Sequence, residues 1–152
     1  MSTEAFIWNY QNGECIGFPF AAVRDILSTD DTEWDAEHGC LTIRFQNPDD
    51  YVDVYVDKDA PVTNHTEGIT ISRPITHPDH LARVLQIMGL GNVMLFYSDE
   101  TTPIFLRGAE PEQYPTDLLE QLGMPRFVDS PSGLLHRSDG RATDDCDVTQ
   151  DN

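Results

Sequence analysis

The chain is poor in basic residues, and this scarcity limits what the protein binds. Only 9 Lys and Arg residues oppose 27 Asp and Glu residues, and the formal net charge is -18. Such a field repels nucleic-acid phosphates and anionic lipid head groups and attracts basic surfaces. The basic residues are scattered, so the sequence predicts no direct binding to nucleic acids or membranes. An alternative is that the acidity serves only solubility.

Cysteines and long apolar runs are also scarce. The 3 cysteines form no close pair, which argues against a disulfide framework and against a structural zinc site. No stretch reaches the roughly 18 apolar residues of a membrane span. The first 20 residues hold no Lys or Arg and no long apolar run, so we expect no signal peptide. The composition favours a cytoplasmic protein.

Motifs that carry chemistry are missing as well. The sequence holds no nucleophile elbow, P-loop, zinc-protease helix or dinucleotide fingerprint. His77 and His80 are three residues apart, but Pro78 lies between them and no third ligand completes a metal spacing. We therefore expect no catalytic residue, no metal and no cofactor. Cys15 or Cys40 acting with a histidine is an alternative that no local motif supports.

Hydrophobic periodicity predicts an α+β fold. Period-two and continuous apolar runs indicate strands, and helical spacing indicates helices. The predicted strands are 5–10, 41–45, 51–57, 69–72, 93–97 and 103–106, and the predicted helices are 19–27, 76–88 and 115–122. This order predicts a mixed, mostly antiparallel sheet of about six strands with two to three packed helices.

The composition changes near residue 129. Residues 129–152 are rich in Asp, Ser, Thr and Gly and hold almost no large apolar side chains. Such a segment buries too little apolar surface to offset its conformational entropy. We therefore predict a single α+β domain over 1–128 and an acidic, flexible C-terminal tail over 129–152.

The strand predicted at 51–57 has the most distinctive local pattern. Its valines alternate with Tyr51, Asp53, Tyr55 and Asp57. Because successive side chains of a strand point to opposite faces, the valines should face the core and the other four the outside. Tyrosines give rigid contact area, and aspartates pair with Arg or Lys of a partner. An ordinary solvated strand face is the alternative.

Acidic residues concentrate around this strand, opposed only by Arg44 and Lys58. They are Asp30, Asp31, Glu33, Asp35, Glu37, Asp49, Asp50, Asp53, Asp57 and Asp59. Trp34 lies inside the segment, which we interpret as an acidic loop, and it is either an interface anchor or the loop's own hydrophobic pin. The predicted partner-binding residues are Trp34, Asp49, Asp50, Tyr51, Asp53, Tyr55 and Asp57.

Three consecutive segments form a recognisable arrangement: the passage 69–78, the helix through Met88 and the strand segment 92–97. Through these residues, and over about Ala5 to Val128, the chain resembles immunity proteins of bacterial polymorphic and type VI secretion toxin systems. The resemblance implies a small cytosolic protein without chemistry of its own. Its partner would be a cognate toxin or enzyme with a basic surface, whose active site it covers.

Two other functions remain open at this point. The first is an acidic mimic of nucleic acid that inhibits a DNA-binding defence enzyme, of the anti-restriction or anti-CRISPR kind. It predicts rows of acidic side chains over a large surface, whereas an immunity protein needs one focused patch. The second is a small enzyme, which predicts a pocket that gathers titratable groups with perturbed pKa values.

Overall fold

A computed structural model describes residues 3–47, 49–100 and 102–134. The strands are β1 Glu4–Gln11, β2 Glu14–Cys15, β3 Asp31–Asp35, β4 Cys40–Arg44, β5 Tyr51–Tyr55, β6 Ile69–Ser72, β7 Val93–Tyr97, β8 Ile104–Leu106 and β9 Arg126–Val128. The α-helices are α1 Phe20–Leu27, α2 Ala60–Thr63, α3 Pro78–Met88 and α4 Thr116–Glu120, and short 3-10 helices lie at Pro111–Gln113 and Pro131–Leu134.

The strands form one mixed sheet in the order β3-β4-β5-β6-β1-β7-β8-β9, and β2 pairs with the end of β1. All pairings are antiparallel except the one between β8 and β9. The predicted α+β class and mostly antiparallel sheet are confirmed. The predicted number of about six strands is wrong, because the sheet has 9.

The sequence prediction missed β2, β3 and β9. Strands β2 and β9 are only 2 and 3 residues long, too short for a periodic pattern. Strand β3 was interpreted as an acidic loop because three of its five residues are acidic. It pairs along its whole length with β4 at one edge of the sheet, where acidic side chains remain in water.

One face of the sheet is covered by α1 and α3. Each helix carries an apolar stripe at helical spacing that faces the strands. Val23 and Leu27 of α1, Ile87 of α3 and Ile7 of the central strand β1 are all 0% exposed. Each such side chain contributes roughly 1.5–3 kcal/mol when it is fully buried. These helices therefore determine which side of every strand faces inward.

Within the described residues, the second face is covered only over β7, β8 and the C-terminal half of β1. The segment 109–122, which includes α4, packs there on a small apolar cluster built around Met94, Phe105 and Tyr114. The Tyr114 hydroxyl donates to the carbonyl of Trp8 at 2.9 Å and to that of Asn92. Burial raises the pKa of Tyr114, so its hydroxyl remains a donor.

The start of the predicted tail packs on this fold. Leu134 is 0% exposed, and its carbonyl accepts a hydrogen bond from the hydroxyl of Tyr97 at 2.7 Å. Gly133 likewise accepts from the guanidinium of Arg126 at 2.7 Å. Residues 135–152 lie outside the described part of the chain, so the prediction of a flexible tail stays a prediction.

The side chain of His77 caps the N-terminus of α3. The Nδ1 atom of His77 accepts the backbone N–H of Asp79 at 3.2 Å. Its ring stacks on Phe45 with centroids 4.8 Å apart.

None of the helices within the described ranges is long and apolar enough to cross a bilayer.

A second histidine of α3, His80, is enclosed by the core. It is 1% exposed and meets the edge of the Phe45 ring at a centroid distance of 5.7 Å. Its Nδ1 atom has no hydrogen-bond partner among the described residues. Burial is the main cause that lowers the pKa of His80 to about 4; the neighbouring charges of His77 and Arg83 add to the shift, and Asp79 opposes it.

We expect acid to destabilise the fold through His80. Its pKa is about 4 in the folded chain and returns to about 6.5 on unfolding, so the unfolded chain takes up the proton first. The contribution of His80 to the free energy of unfolding is therefore complete above pH 6.5, and it is lost as the pH falls towards 4. The difference between the two pKa values corresponds to about 3 kcal/mol.

Urea unfolding at pH 7 and pH 4.5 measures this contribution. Lowering the pH from 7 to 4.5 should reduce the free energy of unfolding of both proteins. The reduction should be about 2 kcal/mol smaller for His80→Leu than for the wild type. His38→Gln, at an exposed histidine, is the control and should follow the wild type. The same pH dependence in the wild type and His80→Leu would contradict the assignment.

Candidate functional site

The outward side of β3 to β6 and of the adjoining ends of β1 and β7 forms the candidate site. We call this surface the open face, because all but one of its side chains are partly or fully exposed. Its residues are Asp31, Glu33, Asp35, Cys40, Thr42, Arg44, Tyr51, Asp53, Tyr55, Thr70, Ser72, Glu4, Phe6 and Phe96. The buried member is Cys40, which is 6% exposed.

The strand register arranges these side chains in rows across the sheet, because directly paired residues share a face. The first row is Asp31, Arg44 and Tyr51, the second is Glu33, Thr42, Asp53, Ser72 and Glu4, and the third is Asp35, Cys40, Tyr55, Thr70, Phe6 and Phe96. Acidic groups thus gather near the β3 edge, and the third row ends in aromatic rings.

Internal contacts hold the acidic part of the open face in place. Arg44 donates to Glu33 at 2.8 Å and to Asp31 at 3.3 Å. The hydrogen bond that Glu33 accepts from Arg44, together with the negative charge of Glu33, raises the pKa of Arg44. The Thr42 hydroxyl donates to Asp53 at 2.7 Å. These bonds restrict the orientations that the carboxylates can adopt.

A cation already lies on an aromatic ring of this surface. The guanidinium of Arg73 is 4.6 Å from the ring centroid of Tyr51 and also donates to its hydroxyl. Arg73 takes a left-handed backbone conformation with φ 56° directly after β6. The open face therefore combines carboxylates and aromatic rings that suit cationic groups.

The structure brings three of the predicted site residues together. Tyr51, Asp53 and Tyr55 share the open face, while the intervening Val52 and Val54 are 0% exposed, as the alternation predicts. Their role in binding a partner stays a prediction.

The other predicted residues lie elsewhere. Asp49 and Asp50 belong to the turn between β4 and β5. Asp57 follows β5 and accepts the backbone N–H of Glu67 at 2.9 Å. Trp34 points to the helix-covered side, where its ring centroid lies 5.5 Å from that of Phe20. The ring of Trp34 thus packs against the core, and its predicted role in binding a partner stays a prediction.

Sequence reasoning missed the aromatic end of the open face. Phe6 and Phe96 pair directly across β1 and β7, with ring centroids 6.4 Å apart. The alternation of Phe6, Trp8 and Tyr10 along β1 is the signal that marks an aromatic strand face. Phe96 carries no such signal, because β7 reads as one continuous apolar run.

The described cysteines are poorly suited to nucleophilic chemistry. Burial raises the pKa of Cys40, and the nearby Asp53 adds to the effect. Burial also raises the pKa of Cys15, whose thiol donates to the carbonyl of Glu67 at 3.4 Å. The reactive form of a cysteine is the thiolate, which a raised pKa disfavours.

Three of the described histidines contact polar groups of the fold. His77 caps α3, and His65 lies 3.1 Å from the carbonyl of Ile16 through its Nε2 atom. The ring of His38 contacts Asp35 at 2.8 Å, and this hydrogen bond lowers the pKa of Asp35. Within the described residues, no three His, Cys, Asp or Glu side chains are gathered as a metal ligand set.

An open cleft of about 630 Å³ lies beside the first row of the open face, between the end of α1, β4 and the start of α3. Arg83, which lines this cleft, donates to the carbonyls of Ser28 at 2.7 Å and Ile26 at 3.2 Å. It also pairs with Asp79 at 3.1 Å. Arg83 therefore connects α3 to the C-terminal end of α1.

Comparison of the chain with protein-family models, with curated proteins and with solved structures gives no match. The functional argument therefore rests on the geometry of the open face.

We predict that Trp34 acts mainly on stability. Trp34→Ala should lower the free energy of unfolding by about 2 kcal/mol, less than the loss at a fully buried tryptophan, because the ring is partly exposed. Trp34→Phe should keep most of the stability, since it retains a ring against Phe20. Denaturant unfolding followed by circular dichroism measures both. A Trp34→Ala variant as stable as the wild type would indicate a surface residue instead.

Proposed function

We propose that the protein is a non-enzymatic inhibitor that binds another protein through the open face, as an immunity protein covers the active site of a cognate toxin. One observation carries the proposal: acidic residues of β3 and β5 and two tyrosines share an accessible sheet face in register. We place its action in the cytosol, where such a toxin would meet its inhibitor.

The charge of the open face favours a basic partner. Its acidic side chains outnumber its arginines, and the whole chain carries a formal charge of -18. Complementary charge raises the rate of encounter by orders of magnitude over a neutral pair. The tyrosines then supply rigid contact area at small entropy cost. A basic active-site cleft is the surface that this face fits best.

Two observations favour binding over catalysis. Both described cysteines have raised pKa values. The strongly shifted His80 lies 1% exposed inside the core, away from solvent and from any substrate. Three of the five acidic side chains of the open face lie on β3, and only Asp53 and Glu4 lie farther across the sheet. This distribution favours one focused patch over an imitation of a nucleic-acid backbone.

The test uses a matched pair of variants. Glu33→Gln with Asp53→Asn removes two charges from the open face and keeps the hydrogen-bonding shape. Asp25→Asn with Asp59→Asn removes the same charge from residues outside it. Tagged wild-type protein and both variants would capture partners from the native host. Any partner would then be purified and assayed for its own activity at increasing ratios of inhibitor.

We expect one partner, bound at about one to one, whose activity stops at an equimolar ratio. The open-face variant should bind about tenfold more weakly at about 0.1 M salt, mainly through slower association, and the difference should shrink at about 1 M salt. The control variant should bind like the wild type. A captured partner that remains fully active would refute inhibition. Equal binding by both variants would refute the open face as the interface.

A further inference from the structure

Three aromatic rings form a compact cluster at the border between the open face and the covered half of the sheet. The ring centroids of Phe6, Trp8 and Phe96 lie 6.3, 6.4 and 6.5 Å apart, and the ring planes differ by only 14° to 29°. All three side chains are partly exposed. We call this cluster the aromatic triangle.

The core does not require two of these rings. Trp8 packs against the cluster under 109–122, but neither buried cluster in the described part of the chain includes Phe6 or Phe96. Phe6 also pairs directly with Thr70, a polar residue that suits an exposed strand position equally well. Grouped, partly exposed aromatic rings on an otherwise polar surface mark an interaction site.

One carboxylate, that of Glu4, lies beside the triangle, and a second lies farther along the same row. Glu4 precedes Phe6 by two positions on the same side of β1, which places it about 7 Å away along the strand. Asp53 lies in the row of Glu4, with Ser72 between them. A ligand at this border therefore meets aromatic rings and negative charge together. A planar cation satisfies both, and the arginine guanidinium stacks on rings more readily than the strongly hydrated lysine ammonium.

The same surface already contains this arrangement within the chain. The guanidinium of Arg73 covers the ring of Tyr51 at 4.6 Å. Tyr51 and Phe6 belong to the same open face. The contact expected at the triangle, an arginine guanidinium stacked on an aromatic ring, is thus the contact that Arg73 makes with Tyr51 in the first row.

We propose that the aromatic triangle, with Glu4, receives arginine side chains of the basic protein that binds the open face. This inference rests on the proposed function for the kind of partner and adds the side chain that the partner inserts. It also divides the open face: the β3 edge attracts positive charge of either type, and the triangle selects arginine over lysine.

Charge disfavours other occupants. A second copy of the chain would bring the same acidic face against this one. The chain's own residues 135–152 hold more aspartates than arginines. Single-stranded nucleic acid could stack its bases on the rings, but its phosphates would meet Glu4 and Asp53. A basic protein segment avoids these repulsions.

A fluorescence titration tests the inference without the natural partner. The chain has 2 tryptophans, so Trp34→Phe leaves Trp8 as the only tryptophan reporter. The probes are a capped peptide of alternating Gly and Arg, the same peptide with Lys for Arg, and an oligothymidine. The matched variant adds Phe6→Leu and Phe96→Leu, which keep apolar bulk and remove the rings. Glu4→Gln in the Trp34→Phe background is a milder second variant.

The arginine peptide should change Trp8 emission and bind about three- to fivefold more tightly than the lysine peptide, the size of an exposed cation–π contact. The leucine variant should lose this preference. Glu4→Gln should weaken the binding of both peptides and retain the preference for the arginine peptide. This variant therefore still tests the inference if the leucine variant unfolds.

Equal binding of the two peptides, or a stronger response to oligothymidine, would overturn the inference. Concentration-dependent self-association that quenches Trp8 would overturn it as well. These failures would leave the proposed inhibitor function standing, because its own test measures inhibition of a captured partner. Conversely, arginine selectivity without an inhibited partner would support the triangle and count against the inhibitor.

Discussion

The burial of one sheet face beneath α1 and α3 determines the composition of the other. Side chains alternate along a strand, so placing Ile7, Ile43, Val54 and Ile71 against the helices sends their neighbours to the opposite side. A slip of one residue in any strand would exchange the two sets and bury carboxylates. The acidic, aromatic open face is therefore held in register by the same interactions that stabilise the core.

Tyr114 divides this second face into a closed half and an open half. Its hydroxyl joins the backbone of Trp8 and Asn92, and its ring meets Phe105 edge-on at a centroid distance of 5.4 Å. These contacts keep the segment 109–122 over β7 and β8. Sheets of this kind commonly bury one face and solvate the other. Here the boundary crosses the middle of β1, so a single strand supplies both core and surface aromatic residues.

Local patterns predict much of the fold and part of the site. The valines of β5 and the stripe of α3 repeat with clear periods, and the positions of Tyr51, Asp53 and Tyr55 follow from alternation. Strand β3 escaped prediction because its edge position permits a composition typical of loops. The aromatic triangle escaped because β1 pairs with β7, almost ninety positions away, and sequence periodicity holds no information on such pairings.

The acidic edge strand β3 also affects self-association of the protein at high concentration. An unpaired strand edge is a template on which another chain can add by backbone hydrogen bonding. Two copies that approach through β3 would bring Asp31, Glu33 and Asp35 of each into close opposition. Like charges at this distance oppose the growth of a continuous intermolecular sheet. The carboxylates that we propose as a binding surface for a basic protein thus also oppose edge-to-edge association of identical copies.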